Sequence, residues 1–317
     1  MKWLLRREIW EHKGGFVWAP AVIGAIMVVG ALLSSIFALF MGSRHGIMID
    51  GEQITSLSNV IDAEHRAQIV EAIAQAYLGV AVTPLFLVMT FAVFFFCLGS
   101  LFDERKDKSV LFWKSLPVSD AQTVLAKAGM ALVGAPLITL VIGIVVGALL
   151  LLTLGIVAAF AGVNLFGVLG QSATWLSPIQ ALGMLPIYAL WALPTVGWLM
   201  MVSAWARTKP FLWAVGVPVV TGVLISWFNA IFNFEWNVEW FWANVVGRGL
   251  GSVAPGIWFA FTDVGQQLEH AHDNADMGEM VAASWQVLGT ANLWIGVVLG
   301  AAMIFAAIRL RRWRDEG

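Results

Sequence analysis

AGMALVGAPLITLVIGIVVGALLLLTLGIVAAFAG, residues Ala128–Gly162, carries no charged side chain. A bilayer core about 30 Å thick is crossed by about 20 helical residues, so this run is longer than one crossing requires. It contains Pro136 and Gly155 but no polar turn at which the chain could reverse. The expectation is therefore one tilted helix with an extension, not two spans.

Five further uncharged runs flank it, approximately Phe16–Gly42, Tyr77–Phe102, Ile179–Ala206, Phe211–Phe232 and Val287–Ile308. Only Gly, Pro and small polar residues interrupt them, which neighbouring helices can satisfy inside a membrane. Composition agrees: 60% of residues are hydrophobic and 12% charged, with a mean hydropathy of +0.82, against about 25% charged in soluble proteins. The sequence predicts an all-α integral membrane protein, a single domain over 1–317 with six transmembrane helices. The first run exceeds the roughly 7–15 residues of a signal-peptide core and no small-x-small site closes it, so it reads as a retained helix. Cys97, the sole cysteine, lies within an apolar run, which excludes a disulfide framework and a cysteine metal centre.

Orientation follows from Lys and Arg, which accumulate in short cytoplasmic loops. With the N-terminus inside, 15 of the 18 basic residues are cytoplasmic and only Arg44, Arg66 and Arg248 lie outside. Both termini are expected in the cytosol of a multi-pass protein. WFWANVVGRGLGSVAPGIWFAF, residues Trp240–Phe261, resembles a seventh span in hydropathy. Arg248 at the bilayer centre would cost about 2.5 kcal/mol or more, and four glycines and Pro255 break the stretch. An interfacial or re-entrant outer segment is expected instead.

Within these boundaries the six spans hold no Asp, Glu, Lys, Arg or His. Ion-driven pumps place ionisable groups in the membrane, so any transport energy must come from elsewhere. No G-x-x-x-x-G-K-[ST] phosphate loop is present to bind ATP. Thr83, Thr90, Asn164, Ser203, Thr221 and Asn229 are candidates for a polar path, and interhelical hydrogen bonding accounts for each of them as well. Gly143-x-x-x-Gly147 and Gly296-x-x-x-Gly300 permit close helix approach. The outer segments carry Asp50, Glu52, Asp62, Glu64 and Glu71, then Glu235, Glu239, Asp263, Glu269, Asp273, Asp276 and Glu279, which read as a solvated acidic face. His270-Ala-His272-Asp273 suggests a metal site only if the histidines alternate on a strand, and their surroundings are helical or loop-like. No metal site, no nucleophile with its base and no nucleic-acid-binding character emerge, so the chain is not expected to be an enzyme.

DERKDKSVLFWKSLPVSD, residues 103 to 120, interrupts two apolar runs on the cytoplasmic side. Wound as a helix it places Val110, Phe112, Trp113 and Leu116 on one arc, with Lys106, Asp107, Lys108 and Lys114 mostly off it. Pro117 ends that helix, and Ser119-Asp120-Ala121-Gln122 reads as a capping box that starts the next. The residues alone leave two readings open: a helix that transmits force from a soluble partner, and a helix lying on the membrane surface. At the N-terminus Lys2, Arg6 and Lys13 form a basic stripe beside Leu5, Ile9, Trp3 and Trp10, suited to an anionic leaflet or to a plain positive anchor.

The run Glu104–Ser119, with the opening Arg7-Glu8-Ile9-Trp10-Glu11, resembles the permease subunits of bacterial ABC-2 type transporters. The resemblance implies six spans, a cytoplasmic elbow helix (1–15), an outer loop (43–76), a cytoplasmic coupling helix between helices 2 and 3 (103–127) and an outer segment with re-entrant helices between helices 5 and 6 (233–286). It further implies a second permease copy or homologue and a separate ABC ATPase subunit, with ATP and Mg on that partner and no cofactor on this chain. Glu104, Arg105, Asp107, Phe112, Trp113 and Lys114 would contact the ATPase. The expected function is export across the bacterial cytoplasmic (inner) membrane, in contact with membrane lipids. A non-transporting polytopic sensor or scaffold is the alternative.

Overall fold

The structure is a computed structural model that describes residues 2–45, 47–49, 52–54, 82–107, 119–160, 177–232, 234–265 and 277–314. Six helices in it are long and apolar enough to cross a membrane: Gly14–Phe37, Val82–Lys106, Asp120–Val157, Ala181–Trp205, Leu212–Phe232 and Ala291–Trp313, spans one to six. The chain is thus α-helical and multi-pass in character. A two-stranded ribbon, Ile47–Ile49 paired antiparallel with Glu52–Ile54, is the exception among the described residues. The elbow helix Lys2–Glu11 precedes span one.

Span three is a single helical run, as its lack of a polar turn requires. Its 38 residues extend about 57 Å at 1.5 Å per residue, well beyond a hydrocarbon core of about 30 Å. Its beginning is fixed by the anticipated capping box: Gln122 N–H donates to Ser119 Oγ and Ser119 N–H to Gln122 Oε1, both at 3.2 Å. The helices of spans two, three and six also continue into charged sequence, so Glu104, Asp120, Lys127 and Arg311 are carried on the spans' own helices and not on loops.

Three prolines are accommodated in the same way. Wide π turns occupy Gly14–Trp18, Met130–Gly134 and Leu212–Gly216, and Pro20, Pro136 and Pro218 each follow two residues later. A proline ring collides with the carbonyl four residues before it, and those carbonyls belong to Phe16, Leu132 and Ala214, inside the π turns. Closing bonds i→i+5 widens the turn at the point where the ring must fit.

The chain forms two compact units, one of residues 1–16, 89–137 and 183–317, the other of 17–88 and 138–182. In the second, Leu85, Val146 and Leu150 form a buried core with Ile23, Met27, Val28, Ala31 and Ile142 around it. In the first, spans four and six pack along each other at a point where neither has a side chain. A Cβ on Gly197 would lie 2.5 Å from the Gly300 carbonyl oxygen, and one on Gly300 would lie 2.6 Å from the Leu193 carbonyl carbon. The Gly296–Gly300 pattern is therefore used within the chain, against the Leu193–Pro194 peptide.

Residues 238–251 are helical but only about 21 Å long, too short to span, and the chain turns at Gly256, whose φ is +80°. This segment returns against span five, where Gly222 lies beneath Phe241 and Trp242. Arg248 is 6% exposed. Its guanidinium donates to Asn292 Oδ1 at 2.6 Å and stacks 4.4 Å from the centre of the Trp191 ring. Thr195 Oγ1 donates to the Arg248 carbonyl at 3.2 Å.

The glycine contact makes a direct prediction. Gly300→Ala and Gly197→Ala should each destabilise the purified protein by about 1–3 kcal/mol through overpacking, although alanine is the better helix former. Gly30→Ala, whose Cβ meets nothing within 4 Å, should be neutral or stabilising. Thermal melting in detergent separates these outcomes.

Candidate functional site

Four buried charges converge in the first unit: Glu8 at 1% exposure, Lys127 at 1%, Arg311 at 4% and Glu104 at 8%. They come from the elbow helix, the start of span three, the end of span six and the end of span two. Lys127 Nζ lies 3.1 Å from both Glu8 Oε2 and Glu104 Oε1. Arg311 Nη1 is 2.7 Å from Glu104 Oε2, and its Nε is 3.0 Å from Asp120 Oδ1. Positive and negative groups thus alternate from Glu8 through Lys127, Glu104 and Arg311 to Asp120. Arg7 adds a looser contact to Glu104 at 3.7 Å and pairs with Glu11 at 2.7 Å.

Local sequence explains how each group arrives. Glu8 falls on the buried face of the elbow helix, one turn before His12. The 120–129 helix buries Thr123, Val124, Ala126, Lys127 and Ala128, so Lys127 belongs to its inward stripe. His12 closes the apolar side of the hub, its ring edge-on to Phe96 at 4.8 Å and its Nε2 3.8 Å from Glu8. Burial lowers the His12 pKa below its ordinary 6.5; Glu8 opposes that shift and Lys127 reinforces it. Glu8, Glu11 and His12 also offer three ligand atoms within 4.8 Å of one another. Glu8 is held by Lys127 and Glu11 by Arg7, so their charges are already compensated within the chain.

The expected partner-facing residues divide. Glu104 is turned inward into the hub, and Arg105 donates to the carbonyls of Ser203 and, at 3.0 Å, Ala206. Both side chains therefore bond within this chain, Glu104 buried and Arg105 half-buried. Asp107 is exposed, whereas Phe112, Trp113 and Lys114 lie outside the described residues. Among the polar-path candidates, Ser203 Oγ accepts from the N–H groups of Leu101 and Phe102 at 3.1 and 3.0 Å, and Asn229 Oδ1 accepts from Trp236 N–H at 3.0 Å. Ser203, near the end of span four, thus bonds across to span two, and Asn229, near the end of span five, closes the turn that follows it. Thr83 and Thr221 are exposed and Thr90 is half-buried, while Asn164 and His270–Asp273 lie outside the described residues.

Sequence reasoning missed the hub because its charges look like ordinary cytoplasmic flanks. The available signal was Lys127, a lone cation seven residues into a helix, where a flanking charge would fall at the end. No family model, no curated protein and no solved structure matches this chain.

Glu104→Gln removes the charge between Lys127 and Arg311 and should cost about 3–5 kcal/mol, the usual penalty for breaking a buried pair. Glu11→Gln, which loses only the exposed partner of Arg7, should cost less than about 1 kcal/mol. Denaturation of the two variants in one detergent compares them. A second prediction concerns pH. Because His12 has a depressed folded pKa, the unfolded chain binds more protons below pH 6.5, so this contribution is complete above 6.5 and is lost as pH falls. His12→Gln should flatten that part of a melting-temperature profile between about pH 5.5 and 7.5.

Proposed function

We propose that this chain is the membrane-spanning permease subunit of an ATP-driven ABC-2 type exporter in a bacterial cytoplasmic membrane. It has no ATPase motif, and a separate ATPase subunit, carrying ATP and Mg, supplies the energy. Two permease copies or homologues would form the pathway, with both termini in the cytosol and residues 238–261 re-entrant on the outer side.

One observation carries this reading. The elbow helix, the flanks of the 103–120 segment and the C-terminal end of span six are among the segments that charge distribution assigns to the cytosol, and the hub joins them. A push on the 103–120 segment is thereby delivered to rigid ends of spans two, three and six together. The apolar middles of the spans, free of ionisable side chains, favour an external motor over ion coupling. Glu104 and Arg105 then serve the mechanism from behind: Glu104 ties the segment to spans three and six, and Arg105 ties it to the end of span four. Asp107, Phe112, Trp113 and Lys114 remain as the surface offered to the ATPase.

The test is co-purification from native membranes, wild type beside the Phe112→Ala, Trp113→Ala double variant, with ATP hydrolysis assayed in the eluate. An ATPase that accompanies the wild type and is lost from a variant of unchanged melting temperature supports the reading. A folded wild-type protein that brings down no nucleotide-hydrolysing partner points to the sensor or scaffold.

A further inference from the structure

A cavity of about 500 Å³ opens where the end of span two meets the loop between spans four and five, lined by Phe102, Arg105, Lys106, Arg207, Thr208 and Lys209 as well as Ala206. Four of its lining residues are cationic and none is acidic; Asp103 and Asp107, on the same helix end, do not line it. Like charges gathered around one space repel, and an anion between them would relieve that repulsion.

The cavity wall is held from several directions. Arg105 donates to the Ser203 and Ala206 carbonyls, pinning the end of span four to the end of span two. Ser203 Oγ accepts from two N–H groups of span two and closes the same junction. On the other rim, Lys209 adopts φ +46° and its carbonyl accepts from Leu212 N–H at 3.0 Å, which fixes the turn into span five. Lys106, Arg207 and Lys209 are exposed at the mouth, while the backbone that carries them is set.

The rim bears on which anion the cavity would take. Large exposed aromatics bracket the loop: Trp205 meets Trp213 edge-on at 5.0 Å, and Phe211 stacks with Phe95 at 6.4 Å and 18°. Aromatic rings of this kind settle at the headgroup level of a bilayer. Cations one or two residues away are then within reach of lipid phosphates, as basic pockets between spanning helices generally are. A soluble anion requires no apolar rim, whereas a phospholipid uses both parts, its phosphate in the cavity and its acyl chains along the aromatics.

We propose that this cavity binds the phosphate headgroup of an anionic phospholipid from the adjacent leaflet. The site does not rest on the transport reading and stands or falls without it.

The test incubates the full chain in detergent with equal amounts of phosphatidylglycerol and phosphatidylcholine, exchanges the detergent, and quantifies retained lipid by mass spectrometry. Wild type should retain phosphatidylglycerol selectively. Arg207→Gln with Lys209→Asn, asparagine being suited to the positive φ, should weaken retention about thirtyfold, since each cation at an anionic surface contributes about a factor of five. Arg207→Lys, which keeps the charge, should retain it. Arg312→Gln, which removes an exposed cation at the end of span six outside the cavity, serves as the control and should also retain it. Melting temperatures equal to wild type show that the variants are folded. Undiminished phosphatidylglycerol in the double variant overturns the proposal. So does displacement of the lipid by millimolar inorganic phosphate, which would make the cavity a site for the free anion.

Discussion

Taking a charge out of water costs several kcal/mol, and a single counter-ion seldom recovers it. The hub meets this constraint by alternation. Lys127 sits between two carboxylates and Glu104 between Lys127 and Arg311, while Arg311 sits between Glu104 and Asp120. Each inner charge therefore faces two of opposite sign, and the network is complete only when all four chain segments are in place. This is a device for specificity more than for net stability, because apolar side chains of the same volume would pack there without the desolvation cost. What they would not do is fix the register of the elbow helix and spans two, three and six against one another.

The remaining architecture is built from backbone accommodation. Helices in lipid associate by close packing, since apolar residues gain nothing by leaving an apolar solvent. Gly197 and Gly300 let spans four and six approach at the peptide before Pro194, where the helix already lacks an N–H donor. The π turns before Pro20, Pro136 and Pro218 solve the same difficulty inside single helices. A proline thus appears in five of the six spans' helices or at their start without ending any of them, because a wide turn, a helix start or a bare glycine neighbour takes up the defect.

The six spans were legible because hydropathy over about 20 residues is a sum, insensitive to any one position. The unity of span three and its capping box were legible for local reasons, the lack of a turn and a four-residue spacing. The hub was not. Glu8 and Lys127 are 119 residues apart and Glu104 and Arg311 are 207 apart, and such pairs leave no periodic trace. Charge counting placed them on the flanks of the spans and treated them as solvated, whereas they are buried on the spans' own helices or on the helix before span one. The same limit applied to Gly300, whose small-residue pattern announced a close approach without naming Gly197 as its partner. Arg248 was read as too costly for a bilayer centre, and nothing in its neighbourhood foretold a clamp by Asn292 and Trp191.

Span six connects these features. Asn292, which receives Arg248, and Arg311, which enters the hub, are separated by 19 residues on one helix, about 28 Å of rise and close to the thickness of a hydrocarbon core. Each end of the span is thus held by a guanidinium contact, its own at one end and that of residue 248 at the other. Between them lies the Gly296–Gly300 contact with span four, where sliding by even one residue would drive side chains into backbone. Span six is thus held at both ends and seated on bare backbone in the middle. A displacement of the elbow or of the end of span two would therefore bear on span six, and through it on the Arg248 segment about 28 Å away. On the transport reading, this rigid element is the means by which an event at the ATPase surface reaches the opposite face.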